Sequence, residues 1–354
     1  MRAPKKIATL AGWFSRQSYM FKACSIAGSL FLVFLILVIS LASYFKLTSE
    51  QPRRIGVSFS QKQAIAYGLD WKQAYTAAMS ELGITDVRLM SYWDRFEPSN
   101  NRYDFAELDF MMDSAAKNDV AVSLVVGNRQ PRWPECHTPE WVYEQPAVFE
   151  EELLEYIAVV AYRYTDHPAL RQFQLENEAA NNSFGHCPDF NKQFFNAEYE
   201  QLAQISTKPI AITLSNQSGV ATRGPIGDKT GFSIYRHAHF PLFGRAQYWS
   251  FGYVPSFWHS ARAGFMKLVY GSTPYVHELQ MEPWAKGPTE TATSREQYEL
   301  FPPTQFRDNL NYVDTAGFTE VYMWGVEWWY WRAMAQSDPN HWLAAKQAVS
   351  EFLR

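Results

Sequence analysis

The stretch that decides the fold is FQLENEAANNSF, residues 173–184. It opens as a short apolar/polar alternation and ends in an Asn-Glu pair followed by a polar loop. That is the pattern of a parallel strand that delivers a carboxylate to the mouth of a barrel. If Glu178 does chemistry there, a second carboxylate must arrive from another strand end. YVHELQMEPW, residues 275–284, offers one in Glu278, directly after the apolar residues of a strand, and another in Glu282 within MEPW.

Working outward from these two stretches, the chain alternates between strand and helix patterns. RIGVSF at 54–59 is the first strand, and apolar spacing from Asp70 to Leu82 predicts a helix that Gly83 ends. DVRLMSYW at 86–93 is the second strand, followed by a helix over 105–118. VAVSLVVG at 120–127 reads as a strand buried on both faces. A Pro- and Trp-rich loop and a helix over 146–164 lead to the fourth strand at 171–175. A helix over 191–205, PIAITLS at 209–215 and GFSIYRH at 231–237 follow. Residues 239–266 are aromatic and poorly periodic and read as an irregular excursion. PYVHELQ at 274–280 is the seventh strand, and a helix over 304–316 ends at Gly317. TEVYMWGVEWWYW at 319–331 reads as the eighth strand with its exit loop, and a last helix spans 339–352. Eight strands alternate with helices, with no hairpin signal between them. The expected fold is therefore α/β, a single (β/α)8 TIM barrel over residues 54–354.

The N-terminal end is different. Residues 1–22 carry Arg2, Lys5, Lys6, Arg16 and Lys22, and residues 23–45 carry no charge. About 20 apolar residues span a bilayer. The basic residues ahead of the span predict a cytoplasmic tail over 1–22, a transmembrane signal anchor over 23–45 and a linker over 46–53, with the barrel outside the cytoplasm. A cleaved signal peptide is the alternative, with Ser40 and Ala42 as its small residues. For a domain outside the cytoplasm, a Cys136–Cys187 disulfide is expected; free thiols are the other reading.

The chain has 354 residues and a net charge of −4, with no basic run beyond the N-terminus, which argues against nucleic acid as a partner. No His/Cys cluster points to a metal, and no cofactor is implied. Aromatic content is 16%. A large core explains it, and so does a sugar site, because aromatic faces stack on pyranose rings.

Active sites of such barrels lie at the C-terminal strand ends. Two carboxyls from strands four and seven suit glycoside hydrolysis, where one protonates the leaving oxygen and the other attacks the anomeric carbon or activates water. At this point the chain resembles the clan-A retaining glycoside hydrolases, the group of cellulases, mannanases and β-galactosidases. WDRFEPSNNRYDFAELD at 93–109 is similar to a W-x-x-x-E-P-x-x-x-x-Y-D-F segment of those barrels. The resemblance covers residues from about 55 to the C-terminus. It implies Glu178 as acid/base behind Asn177 and Glu278 as nucleophile, with Glu282 as rival. It places Arg88 on strand two and Tyr235, or alternatively His237, on strand six beside the nucleophile. Trp324 and Trp328 would form the aromatic platform, Glu327 would bind a hydroxyl, and Trp133 and Trp284 would line outer subsites. The substrate implied is an oligo- or polysaccharide. A glycan-binding barrel without catalysis, or a scaffold in a cell-envelope polysaccharide system, is the alternative.

Overall fold

The computed structural model describes residues 19–49, 52–182, 184–215, 226–238, 246–247, 254–285 and 287–354. Arg2, Lys5, Lys6 and Arg16 of the basic tail lie outside the described residues. Eight parallel strands close into a barrel: β1 (Arg54–Phe59), β2 (Asp86–Met90), β3 (Ala121–Val126), β4 (Leu170–Leu175), β5 (Ile210–Leu214), β6 (Lys229–Ile234), β7 (Thr273–Gln280) and β8 (Glu320–Trp324). Each strand pairs with its neighbours in sequence, and β1 pairs with β8. This is the (β/α)8 architecture that the alternation predicts.

The local reasons are visible in the residues. The β3 run AVSLVV is buried over five of its six positions, as expected of a strand covered on both faces. Helix Trp71–Glu81 starts where Asp70 Oδ1 accepts from the amides of Lys72 and Gln73. Helix Lys192–Ile205 starts on Asn191 in the same way. Such caps satisfy donors that the first turn leaves open. Helix Gln305–Ala316 ends on Gly317 in the left-handed region, at φ 91°.

Several boundaries differ from the sequence reading. The second strand stops at Met90, and Trp93–Phe96 forms a short helix instead. There Trp93 Nε1 donates to Glu97 Oε2 at 2.7 Å, and the amide of Asn101 donates to Glu97 Oε1 at 2.9 Å. The Trp-Glu-Pro segment thus builds a buried turn. Strand six begins earlier and ends at Ile234, which leaves Tyr235 and His237 in its exit. The aromatic stretch 239–266 contains a regular helix, Ser256–Tyr270. Residues 239–245 and 248–253 of it lie outside the described residues. The segment after Trp324 is not an exit loop. Gly325, at φ 122°, breaks the strand, and Val326–Ala335 is a helix.

The N-terminal apolar helix runs Tyr19–Thr48. Residues 46–48 of the expected linker are therefore helical. The segment Phe21–Thr48 contains an 18-residue window with a mean hydropathy of 2.7 and is long enough to cross a membrane.

Candidate active site

The C-terminal ends of the strands surround a cavity of about 350 Å³. Glu178 and Glu278 both line it, from β4 and β7. One carboxylate oxygen from each, together with a ring nitrogen of His277, lies within 4.8 Å of the others.

The two carboxyls sit in unlike surroundings. Glu278 Oε1 accepts from Arg88 Nη1 at 2.8 Å, and Glu278 Oε2 accepts from Tyr235 Oη at 2.6 Å. Arg88 is fully buried. Its Nε donates to Gln174 Oε1 and its Nη2 to Asn177 Oδ1, both at 2.8 Å. Charge-assisted bonds of this kind are short and hold the carboxylate in one place. Burial, then the Glu278 charge, holds the Tyr235 hydroxyl well above its ordinary range, so it remains a donor.

Among the described residues, the donors to the Glu178 carboxylate are neutral: Ser233 Oγ and, at 3.4 Å, Asn181 Nδ2. Burial, followed by the neighbouring Glu278 charge, raises its pKa to about 7. Its backbone has a positive φ of 50°, and its amide donates to Thr213 Oγ1 at 2.8 Å. Glu176, two residues earlier, also has a positive φ, 52°. Non-glycine residues in that region carry strain that the surroundings must hold. Part of the hold is visible. Glu176 Oε1 accepts from the amide of Asn128 at 2.6 Å, and its carboxylate also takes the amide of Arg129, so β4 shapes the loop after β3.

His277 stands between the pair, its Nε2 3.8 Å from Glu178 Oε1 and 3.7 Å from Glu278 Oε1. Burial and then Arg88 push its pKa well below the usual value, so the ring is neutral. A register shift between Phe232 and Ser233 on β6 sets Ser233 against Glu278 in the β6–β7 ladder. Gly231 is required beside it, because a Cβ there would come within 2.9 Å of the His277 side chain.

The loop after β3 contributes two residues that the sequence reading missed. Glu135 is buried and lines the cavity, with Asn177 Nδ2 3.4 Å from its Oε2. Burial, then Glu278, raises its pKa to about 8. Arg132 Nη1 donates to Glu282 Oε1 and its Nη2 to Glu327 Oε2, each at 2.6 Å. Its guanidinium lies 4.1 Å from the Trp324 ring centre. Cys136 and Cys187 form a disulfide that ties this loop to the one after β4.

The other expected residues divide. Trp324, Trp284 and Trp133 line the cavity; Trp284 packs on Tyr235 with ring centres 4.7 Å apart, and Trp133 is 60% exposed at the rim. Trp328 does not line it. The helix after Gly325 turns that ring into the core, where its Nε1 donates to Gln297 Oε1 and its face meets His341. His237 also lies apart from the nucleophile position. Its amide donates to Gln280 Oε1, and Tyr235 alone of the two reaches Glu278. Glu327 is buried against Arg132 and Ser60 rather than presented to a ligand. Glu282 lines the cavity but is paired with Arg132.

A family model described as β-galactosidase of glycoside hydrolase family 42 matches residues 69–208, less than half of the chain. No curated protein matches. Among solved structures, the chain is similar to a GH5_18 protein from Streptomyces cattleya in complex with GlcNAc, at 13% identity and a TM-score of 0.59, covering 86% of this chain and 81% of that one. It is similar to xylanase 10B from Thermotoga petrophila in complex with xylobiose, at 13% identity and a TM-score of 0.54, covering 89% and 97%. It is also similar to a β-galactosidase from the Antarctic haloarchaeon Halorubrum lacusprofundi, at 14% identity and a TM-score of 0.53, covering 84% of this chain and 58% of that enzyme. At these identities the likeness is one of fold.

Proposed function

We propose that the protein is a retaining glycosidase acting on a β-linked glycan. The observation that carries this reading is the distance between two unlike carboxyls. A Glu178 oxygen and a Glu278 oxygen fall within 4.8 Å in one cavity. Retaining enzymes hold their carboxyl groups about 5–5.5 Å apart, whereas inverting ones leave about 6.5–9.5 Å for a water. The family-42 match and the glycosidases among the structural neighbours support the same class.

The roles follow from the surroundings. Glu278, bonded to Arg88 and Tyr235, is the ionised nucleophile. It attacks the anomeric carbon while the Glu178 carboxyl gives its proton to the departing glycosidic oxygen, so the C–O bond breaks as the glycosyl ester forms. Once Glu278 is esterified its charge is gone, and the pKa of Glu178 falls. Glu178 then takes a proton from water, whose oxygen attacks the anomeric carbon and frees Glu278. Asn177, held by Arg88 through its Oδ1, donates from Nδ2 to Glu135 Oε2 and has a second Nδ2 hydrogen for the sugar 2-hydroxyl. Trp324 and Trp284 provide apolar faces for the ring, and Trp133 an outer subsite. Glu282 serves to hold Arg132, not as nucleophile.

The apolar helix is read as an anchor with the barrel outside the cytoplasm. A disulfide beside the cavity suits an oxidising compartment.

The test is covalent trapping. The full chain is treated with a panel of activated 2-fluoro glycosides, and any adduct is located by peptide mass spectrometry. The expected result is one glycosyl adduct on Glu278. An adduct on Glu282 overturns the assignment of the nucleophile. Turnover of the natural glycan with inverted configuration overturns the mechanism.

A further inference from the structure

The helix Ser256–Tyr270 is unusual for a barrel of this kind: polar side chains are buried beside Ala263 and Met266, and the side chains it leaves most exposed are apolar. Barrel helices ordinarily turn apolar residues inward and polar ones to water. Here His259, Ser260 and Arg262 are buried, with Ser260 Oγ donating to the Ala316 carbonyl at 2.7 Å and Arg262 stacked on Phe232 at 4.7 Å. Phe257, Leu268, Val269 and Tyr270 face outward, each between 42% and 57% exposed.

The N-terminal helix is docked on this same element. Val38 and Ala42 are buried against Ala261, beside Leu41 and Trp258, and Phe45 packs on Phe318 with ring centres 5.1 Å apart. Gly264 lets the backbone approach; a Cβ there would stand 2.1 Å from the Leu41 carbonyl oxygen. Close passage over a small residue is how apolar helices associate within lipid. The end of the helix is also fastened. Lys267 Nζ donates to the Thr48 carbonyl, and Ser49 Oγ donates to the Gly317 carbonyl at 2.7 Å. These contacts run in parallel order, from Phe34 beside Trp258 to Thr48 beside Lys267.

We propose that helix Tyr19–Thr48 is retained as part of the barrel wall, and that the flank it forms with helix Ser256–Tyr270 is sunk into the distal leaflet of a lipid bilayer. The inference rests on the anchor reading above and is independent of the glycosidase reading.

Length decides the depth. Between Lys22 and Phe34 there are about a dozen residues, or about 18 Å of helix, too few for a hydrocarbon core of about 30 Å. The span must continue through the docked part, to about Ala42. That brings Phe257 and Trp258 level with the outer hydrocarbon. Leu268, Val269 and Tyr270 follow about three turns later, past the level of Ala42 and so at headgroup depth, where Tyr is favoured and Lys267 reaches polar surroundings. Cleavage near Ser40 or Ala42 would strip cover from Trp258, Ala261 and Gly264, so the seam itself argues for retention.

The test uses the full chain with Cys24→Ser, which leaves the disulfide intact, purified and reconstituted in phosphatidylethanolamine–phosphatidylglycerol vesicles. Intact mass is expected to include residues 1–48; a mass that begins after residue 42 overturns retention. Nitroxide labels are then placed singly by Phe257→Cys, Val269→Cys and, as an aqueous reference on another side, Tyr143→Cys. At position 257 oxygen collisions are expected to exceed those of a water-soluble nickel chelate, with the ratio reversed at 143 and intermediate at 269. A ratio at 257 equal to that at 143 overturns the immersion. Leu268→Cys, expected to resemble 269, is the substitute if Phe257→Cys does not fold, and a fully aqueous signal there has the same meaning.

Discussion

Two clusters share the mouth of the barrel, and each contains carboxylates and an arginine. In one, Arg88 bonds Glu278, while the donors to Glu178 among the described residues are neutral. In the other, Arg132 bonds both Glu282 and Glu327, and the amide of Ser60 donates to Glu327 as well. In the second cluster the guanidinium is shared between two acids and lies against Trp324, with its Nε alone left without a partner among the described residues. In the first, burial and then the neighbouring Glu278 raise the Glu178 pKa, and Arg88 is bonded to Glu278 and not to Glu178. Proximity of carboxylates is common to both, and the allocation of cations separates a poised site from a brace.

The largest expected difference is between matching substitutions in the two clusters. Glu278→Gln removes the nucleophile and should lower kcat by about 10⁴-fold or more. Glu282→Gln should lower it by no more than about tenfold but should destabilise the fold by roughly 3–5 kcal/mol, since it leaves Arg132 with one partner in a buried ion pair. Single-turnover kinetics beside denaturant unfolding of both variants measure the split. Equal loss of turnover in the two would erase the distinction.

A smaller effect concerns the withheld proton. Glu178→Gln should reduce kcat by about 10²–10⁴-fold with substrates whose leaving group needs protonation, and much less with an activated aryl leaving group. In the unaltered protein, Glu178 works as an acid only while protonated, so kcat/KM should fall as pH rises through about 7. With the activated aryl substrate that alkaline limb should weaken. A pH profile with both substrates checks this.

The smallest effect is on stability. The Glu135 pKa is raised to about 8 by burial and Glu278. The folded chain therefore keeps a proton that the unfolded chain releases from the ordinary carboxylate range upward. Its contribution to stability is lost as pH rises from that range to about 8 and is constant beyond. Glu135→Gln should raise Tm at pH 8 by a few degrees and leave it nearly unchanged at pH 5. Calorimetry at the two pH values decides the sign.

The sequence made one side of this comparison legible and hid the other. Arg88 and Glu278 lie in strands and Glu178 three residues past one, and a short strand-like run with an abrupt polar exit marks such positions. Arg132 and Glu135 lie in a loop with no periodicity, where both take positive φ, 81° and 73°. Their placement depends on the Glu176 carboxylate and the tie to Cys187, contacts distant in sequence. The MWGVEWWYW run misled for another reason. Its aromatic residues suit a strand, but Trp328 and Arg332 sit one turn apart on a helix face that packs inward. The glycine at 325 was the available signal, since a strand rarely continues through φ 122°. The helix 256–270 was obscured because His259, Ser260 and Arg262 are buried beside Ala263 and Met266 while Phe257, Leu268, Val269 and Tyr270 are exposed, so polarity does not mark its inner face.

Arg88 has a consequence for how the protein can change over generations. Its guanidinium touches Ser58 on β1, Gln174 on β4, Asn177 just beyond it and Glu278 on β7. Four parts of the mouth are thereby committed to one another, and a substitution at any of them disturbs the other three. Divergence in specificity is expected to leave this knot alone and to vary the segments around Trp133 and Trp284, which line the cavity without touching Arg88.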